Sequence, residues 1–518
     1  SALTARAEFR TGHRQPDLHL TYRVVLDSPR GDAALQTIAR ELHALPMTEW
    51  VHVEPLGVPP PVDLPPASDD YRSDQTYAGS DPGIDADFAA GLGLDGAGLR
   101  IYDCEYGWDD THEDLTPQVI VREPNQTEHP SVEQRGWDDH GTAVVGIVGG
   151  ADNAYGVTGM ASAASFHLYS EWTVEEGPRR SAAVGGAIAD ARVGDLVILE
   201  MQTFGANGDF APAEYSPAIW QLTRVGTDAG VIVVAAAGNG AEDLDSPAYA
   251  AYRARGSSGG IIVGAGTADV VHSRLGFSTY GSRVDLQGWG RSITTLGYGD
   301  LAEFGLDPRQ SYTARFSGTS GATPIVASAV ALLQQHARDR WEALLEAPAI
   351  RDILAQTGVP QDPTSAPIGP LPDVRAAIGE LDRIAPEIRG LDLPATPEGT
   401  PTTLTVTATR AEPSSLEITW TIGGRLFSGP SVEYVPEDDG TVEVEVAATD
   451  ALGLTARASG ALAVGNVPPR IVSAETATAT EAAPWRHPLR AEDPGDDVLA
   501  WSLVSASVEG AEITADTL

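Results

Sequence analysis

A chain of 518 residues exceeds one ordinary domain of about 150 residues, and 73 acidic against 33 basic residues, all of the latter arginine, leave a net charge of -40. That charge excludes nucleic acid and anionic membrane surfaces as partners and favours solubility. A single cysteine, Cys104, excludes an internal disulfide, and no apolar run approaches the ~20 residues of a membrane span.

From Leu18 to Leu56 the pattern predicts a small β-α-β unit. "LHLTYRVVL" and "EWVHVEPL" read as strands, and "DAALQTIARELHAL" reads as a helix with Leu35, Ile38, Ala39 and Leu42 on one face. The proline-rich "GVPPPVDLPPASDD" that follows is expected to be extended, a linker or a cleavable joint, so residues 1–66 form the first region. Over residues 70–384 the apolar runs "GLRIYD", "SFHLYS", "GDLVILEM", "GVIVVAAAG" and "GGIIVGAG" alternate with helical or loop segments. This predicts an α/β domain, a doubly wound parallel sheet with helices on both faces. Residues 385–465 alternate with period two between turn residues and predict an all-β sandwich of immunoglobulin type. Residues 466–518 read as the start of a second sandwich with too few strands to complete it, so the chain is expected to stop inside a domain.

The stretch "ARFSGTSGATPIVASAVALLQQHARDRW" carries a polar loop into a helix rich in small residues, with Ser320 at the helix N-terminus. There the helix dipole and unpaired N–H groups favour developing negative charge, which suits a nucleophile; serine is equally a good N-cap. On this stretch alone both readings stand. In open parallel sheets reacting groups gather at the carboxyl ends of strands, so partners for Ser320 are sought there. Asp103 ends the run "LRIYD", and His140 opens a second small-residue helix in "WDDHGTAVVGIVGG".

Taken together, "IYDCEYGWDDTHEDL", "DDHGTAVVG", "VIVVAAAGNG" and "FSGTSGATPIVASAVALL" resemble, in that order, the Asp, His, Asn and Ser motifs of the subtilisin-like serine peptidases. The resemblance covers about residues 70–354. It implies a serine endopeptidase in which Ser320 attacks a peptide carbonyl, His140 relays the proton, Asp103 orients the imidazole and Asn239 binds the oxyanion. An esterase elbow is excluded, because there a G-x-S-x-G serine would precede its acid and histidine.

Three positions depart from the family pattern: Ala143, Gly321 after the nucleophile, and Cys104, read as a small buried filler. The resemblance further implies that substrate backbone lies along Thr203, Phe204 and Gly205, with Ala236, Ala237 and Gly238 walling a permissive pocket. Glu200, Glu242, Asp243 and Asp245 either bias that pocket towards basic residues or belong to the general acidic surface. No cofactor is needed for the chemistry. Structural calcium accords with the family, but "DDTHEDL" and "AEDLDSPAY" match no defined ion loop, so its site stays unassigned.

The expected partners are a protein or peptide substrate and the N-terminal region itself, which resembles part of the pro-region that inhibits many subtilases. A secreted or cell-surface protein of bacterial type is implied. The alternative is a catalytically silent adhesion protein displaying its β-modules.

Overall fold

Strands buried on both faces read as short continuous apolar runs, and the five predicted ones pair in register in the computed structural model. The structure describes residues 2–14, 20, 22–26, 31–53, 68–303, 307–410, 415–480, 483–495, 497–505 and 510–515. It divides into two units, residues 1–66 and 67–518.

The larger unit is built on seven parallel strands, β1 Arg100–Glu105, β2 Val119–Arg122, β3 Ser165–Ser170, β4 Leu196–Leu199, β5 Ile232–Ala236, β6 Ile261–Gly266 and β7 Leu286–Trp289. Their order across the sheet is β7-β6-β5-β4-β1-β3-β2. Two of them escape a reading by apolar runs. β2 lies at the sheet edge and is largely exposed, while β7 reads "LQGW" and needs the buried Gln287 and Gly288 to be recognised as interior.

Side-chain alternation sorts the sheet into two faces. Ile101, Ile198, Val234 and Val263 pack under the helices Asp138–Gly149 and Thr319–Trp341. Val197, Val233 and Ile262 face the helices Arg180–Asp190 and Pro217–Asp228. Each such side chain, fully removed from water, contributes about 1.5–3 kcal/mol. The strand order reverses at β1, which lies between β3 and β4, and a reversal of this kind opens a crevice at the carboxyl ends.

Residues 387–465 form the predicted sandwich, a three-stranded and a five-stranded sheet around Trp420, Leu404, Val444 and Leu462. Beyond it, Arg470–Ile471 pairs with Ala491–Glu492. Val498 and Val504 are each 96 % exposed, so little of this segment's apolar surface is covered.

Within residues 1–66 the predicted helix is present as Asp32–His43, and a further helix spans Ala2–Thr11. Of the flanking strands, residues 22–26 and 49–53 carry no ladder among the described residues, with Tyr22, Val24 and Val25 exposed, and residues 18, 19, 21 and 54–56 of those runs lie outside the described residues. Much of the proline-rich segment lies outside the described residues.

Candidate active site

β1 runs two residues past Asp103 and ends at Glu105. With a period of two, Asp103 and Glu105 point to the same face, the one covered by the two small-residue helices. The expectation that Asp103 holds the histidine is not met. Asp103 is 1 % exposed, its Oδ2 accepts a hydrogen bond from Trp108 Nε1 at 2.8 Å, and its Oδ1 has no partner. The carboxylate on His140 is that of Glu105, whose Oε1 lies 2.5 Å from Nδ1. The charged Glu105 reads as loop in the sequence; the ladder to Cys104↔Tyr169 and Glu105↔Ser170 shows it as the last strand residue, the position at the mouth of the sheet.

His140 sits in the first turn of its helix, which must approach the loop after β1 closely. Gly141 makes this feasible: a Cβ there would stand 2.4 Å from the Gly107 carbonyl oxygen and 2.7 Å from the Trp108 ring. Phe316 packs edge-on against the imidazole at 5.5 Å between centroids. Burial alone would lower the pKa of His140, but the charges of Glu105, Asp103 and Glu171 outweigh it and leave the pKa above its ordinary 6.5.

Ser320 occupies the second position of the helix Thr319–Trp341, after Gly318 at φ +97°. Its backbone N–H makes no hydrogen bond to a described residue. It lies beside Glu200, one residue past the end of β4. Because Cys104 pairs with Leu199, the next step in register sets Glu105 beside Glu200, at the reversal of strand order. Glu200 is buried with both carboxyl oxygens unpartnered. Its pKa is raised well above the usual carboxylate range, first by burial and then by Glu105 and Asp103, while Ser320 acts weakly the other way. Asp103 is raised likewise, by burial and by Glu105. Three carboxyls thus crowd one face, and two of them are held towards the neutral form.

Asn239 follows β5, with its backbone N–H bonded to Gln202 Oε1 at 2.9 Å. Its Oδ1 accepts from Thr319 N at 2.9 Å and from Thr319 Oγ1 at 3.1 Å. Because a backbone N–H can only donate, this fixes the amide orientation and leaves Nδ2 as the outward donor. A Cβ at position 318 would meet that Nδ2 at 3.2 Å, so Gly318 keeps the approach open. Gln202 and Thr319, which sequence reasoning missed, are therefore what hold Asn239.

Thr203 and Phe204 belong to a short strand, Gln202–Phe204, paired with Phe210–Pro212, and Gly205 N–H bonds Asp209. The other edge of that strand carries no ladder among the described residues. The side chains of Ala236 and Ala237 are buried, and the Gly238 carbonyl is taken by Thr279 N–H, so this wall is closed more tightly than the small side chains alone suggest. Of the acidic set, Glu242 is buried and bonded to Asn207 at 2.5 Å, while Asp243 and Asp245 serve the local turn and Ser282. Cys104 is buried and free, as expected of a filler. A Cβ on Gly321 would stand 2.4 Å from Ile293 Cδ1, so a larger residue there would displace the end of that side chain.

A doubly wound parallel sheet with a serine at a helix N-terminus, a carboxylate-bound histidine and an oriented asparagine at its carboxyl edge defines a subtilisin-like α/β protein. The model of the subtilase family matches residues 100–371, just over half of the chain, and the chain belongs to that family of serine peptidases. It is 29% identical to subtilisin DY of Bacillus licheniformis over 259 residues, covering 50% of this chain and 85% of that protein. It is 28% identical to subtilisin BL of Lederbergia lenta over 257 residues, covering 49% and 82%. Among solved structures, a protease of Pseudoalteromonas arctica aligns with a TM-score of 0.45 at 20% identity, over 61% of this chain and 99% of that one. No helix among the described residues is long and apolar enough to cross a membrane.

Proposed function

We propose that this subtilase is a secreted serine endopeptidase with a Glu105–His140–Ser320 triad. Ser320 Oγ attacks the substrate carbonyl, His140 takes the proton and returns it to the leaving amine, and Glu105 holds the tautomer with Nδ1–H and stabilises the imidazolium. Asn239 Nδ2 and the Ser320 N–H form the oxyanion hole. The observation that carries this reading is the bond between His140 Nδ1 and Glu105, which leaves Nε2 as the nitrogen available to the serine. The His140–Ser320 bond itself is not made in this resting geometry, a common state of serine hydrolases before substrate binds. A peptide strand adds along the free edge of Thr203–Gly205, beside the wall formed by Ala236, Ala237 and Gly238.

The test is labelling by a fluorophosphonate probe together with peptide hydrolysis. Both are expected in the parent and neither in Ser320→Ala. Turnover near the parent level in that variant overturns the assignment and revives the adhesion reading.

The N-terminal region is proposed as a tethered inhibitor removed on maturation. Asp69 and Tyr71 are bonded to Gly156 in the catalytic unit and Ser68 is buried, which supports a cut before Ser68, in the proline-rich segment.

A further inference from the structure

Far in sequence from the active site, five carboxylates converge where the β-sandwich meets the segment after it. Glu398, Asp438 and Asp439 bring one oxygen each within 4.8 Å of one another, and so do Glu398, Asp493 and Asp497. That span is about twice the 2.3–2.6 Å bond length of calcium to oxygen, the spacing of ligands on opposite sides of one ion.

Clustered acids are common on a protein of this charge, but here two oxygens are out of water. Glu398 is 1 % exposed; its Oε1 accepts from Val467 N–H at 2.7 Å while its Oε2 is buried with no partner. Asp493 repeats the pattern, with Oδ1 accepting from Gly495 N–H at 2.9 Å and Oδ2 buried and unpartnered.

A buried carboxylate oxygen is ordinarily met by an arginine, a donor or a metal. Among the described residues none of the five has an ion-pair partner. The backbone closes on the group as well: a Cβ on Gly495 would stand 2.5 Å from Glu398 Oε2 and 3.1 Å from Asp438 Oδ1. Asn466, in the connector, donates to Asp497 Oδ2 at 2.6 Å.

We propose that these five residues bind calcium, with the Glu398 carboxylate shared between the two triplets, and that the ion fastens Asp493 and Asp497 to the sandwich. Hard oxygen ligands without nitrogen or sulfur select calcium or magnesium over zinc. A many-carboxylate site drawn from three separate segments suits the larger, geometrically tolerant calcium over magnesium, which keeps several waters.

The experiment uses the full chain carrying Ser320→Ala, so that self-cleavage cannot intervene. Metal is stripped with EGTA, and calcium binding is measured by titration calorimetry and by counting bound ions in native mass spectra. Glu398→Gln and Asp493→Asn are compared with the parent. Both variants are expected to lose one or two equivalents of calcium and the calcium-dependent protection of residues 466–469 from an added protease. Without calcium the order of stability reverses: the parent, with its unpaired carboxylates, melts at or below the variants, which separates metal binding from a fold merely damaged by substitution. An unchanged number of bound calcium ions in both variants, or connector cleavage in the parent indifferent to calcium, overturns the proposal.

Discussion

Neutralising Glu105 tests which acid serves the histidine. At 2.5 Å from Nδ1 and with a side chain 4 % exposed, Glu105 interacts with the imidazolium by about 332/(20 × 2.5), or ~7 kcal/mol, at an effective dielectric constant near 20. Loss of the orienting acid in serine proteases lowers kcat ~10^4-fold, equivalent to ~5.5 kcal/mol, which lies within that scale. Glu105→Gln is therefore expected to lower kcat by ~10^3 to 10^4-fold with KM little changed. Asp103→Asn, which replaces a buried acid held towards its neutral form and keeps an oxygen for Trp108 Nε1, is expected to stay within about tenfold of the parent. The pH profile gives a second readout. The general base works when neutral, so parent activity rises with pH through a His140 pKa above 6.5, and in Glu105→Gln this limb moves to lower pH because the charge that raised it is gone. Steady-state hydrolysis of a chromogenic peptide between pH 5 and 10 measures both. A loss of ~10^4-fold in Asp103→Asn alongside a nearly normal Glu105→Gln would refute the geometry-based assignment.

Asn239→Ala is expected to lower kcat ~100-fold or more with modest change in KM, since its Nδ2 acts on the oxyanion alone; an unchanged kcat moves the oxyanion hole elsewhere. Burial holds the Glu200 pKa well above the usual carboxylate range, so its ionisation as pH rises opposes the developing oxyanion beside Ser320 and activity falls; Glu200→Gln is expected to remove that fall. The same raised pKa lowers stability progressively as pH climbs above the unfolded value of 4.5, so Glu200→Gln also melts higher than the parent at pH 8, and equal melting temperatures count against the burial argument. Residues 1–66 supplied as a separate piece are expected to inhibit residues 68–518, and undiminished peptide hydrolysis removes the pro-region reading.

The sheet was legible because parallel strands buried on both faces leave apolar runs, and the helix starts and strand end that carry Ser320, His140 and Asn239 were legible because they have small, distinctive neighbours. Glu105 was not, for a physical reason. A run of apolar residues marks where a strand is dry, whereas a catalytic strand end is where dryness gives way to chemistry, so stopping "LRIYD" at its first charge ended β1 two residues early. Asp103 then passed for a strand-end acid although its place is inside the sheet, under Trp108. The runs around Tyr22 and Val51 carry no ladder among the described residues, since alternation shows only what could pair and not whether an edge is present. Parity offers a remedy within the sequence itself. Residues 103 and 105 share one face, and of two acids on the same face the one nearer the carboxyl end can meet a residue from the covering helix, while the inner one is walled in. The inner acid is then held towards its neutral form by burial and by its neighbour, which leaves the outer one as the partner of His140 Nδ1.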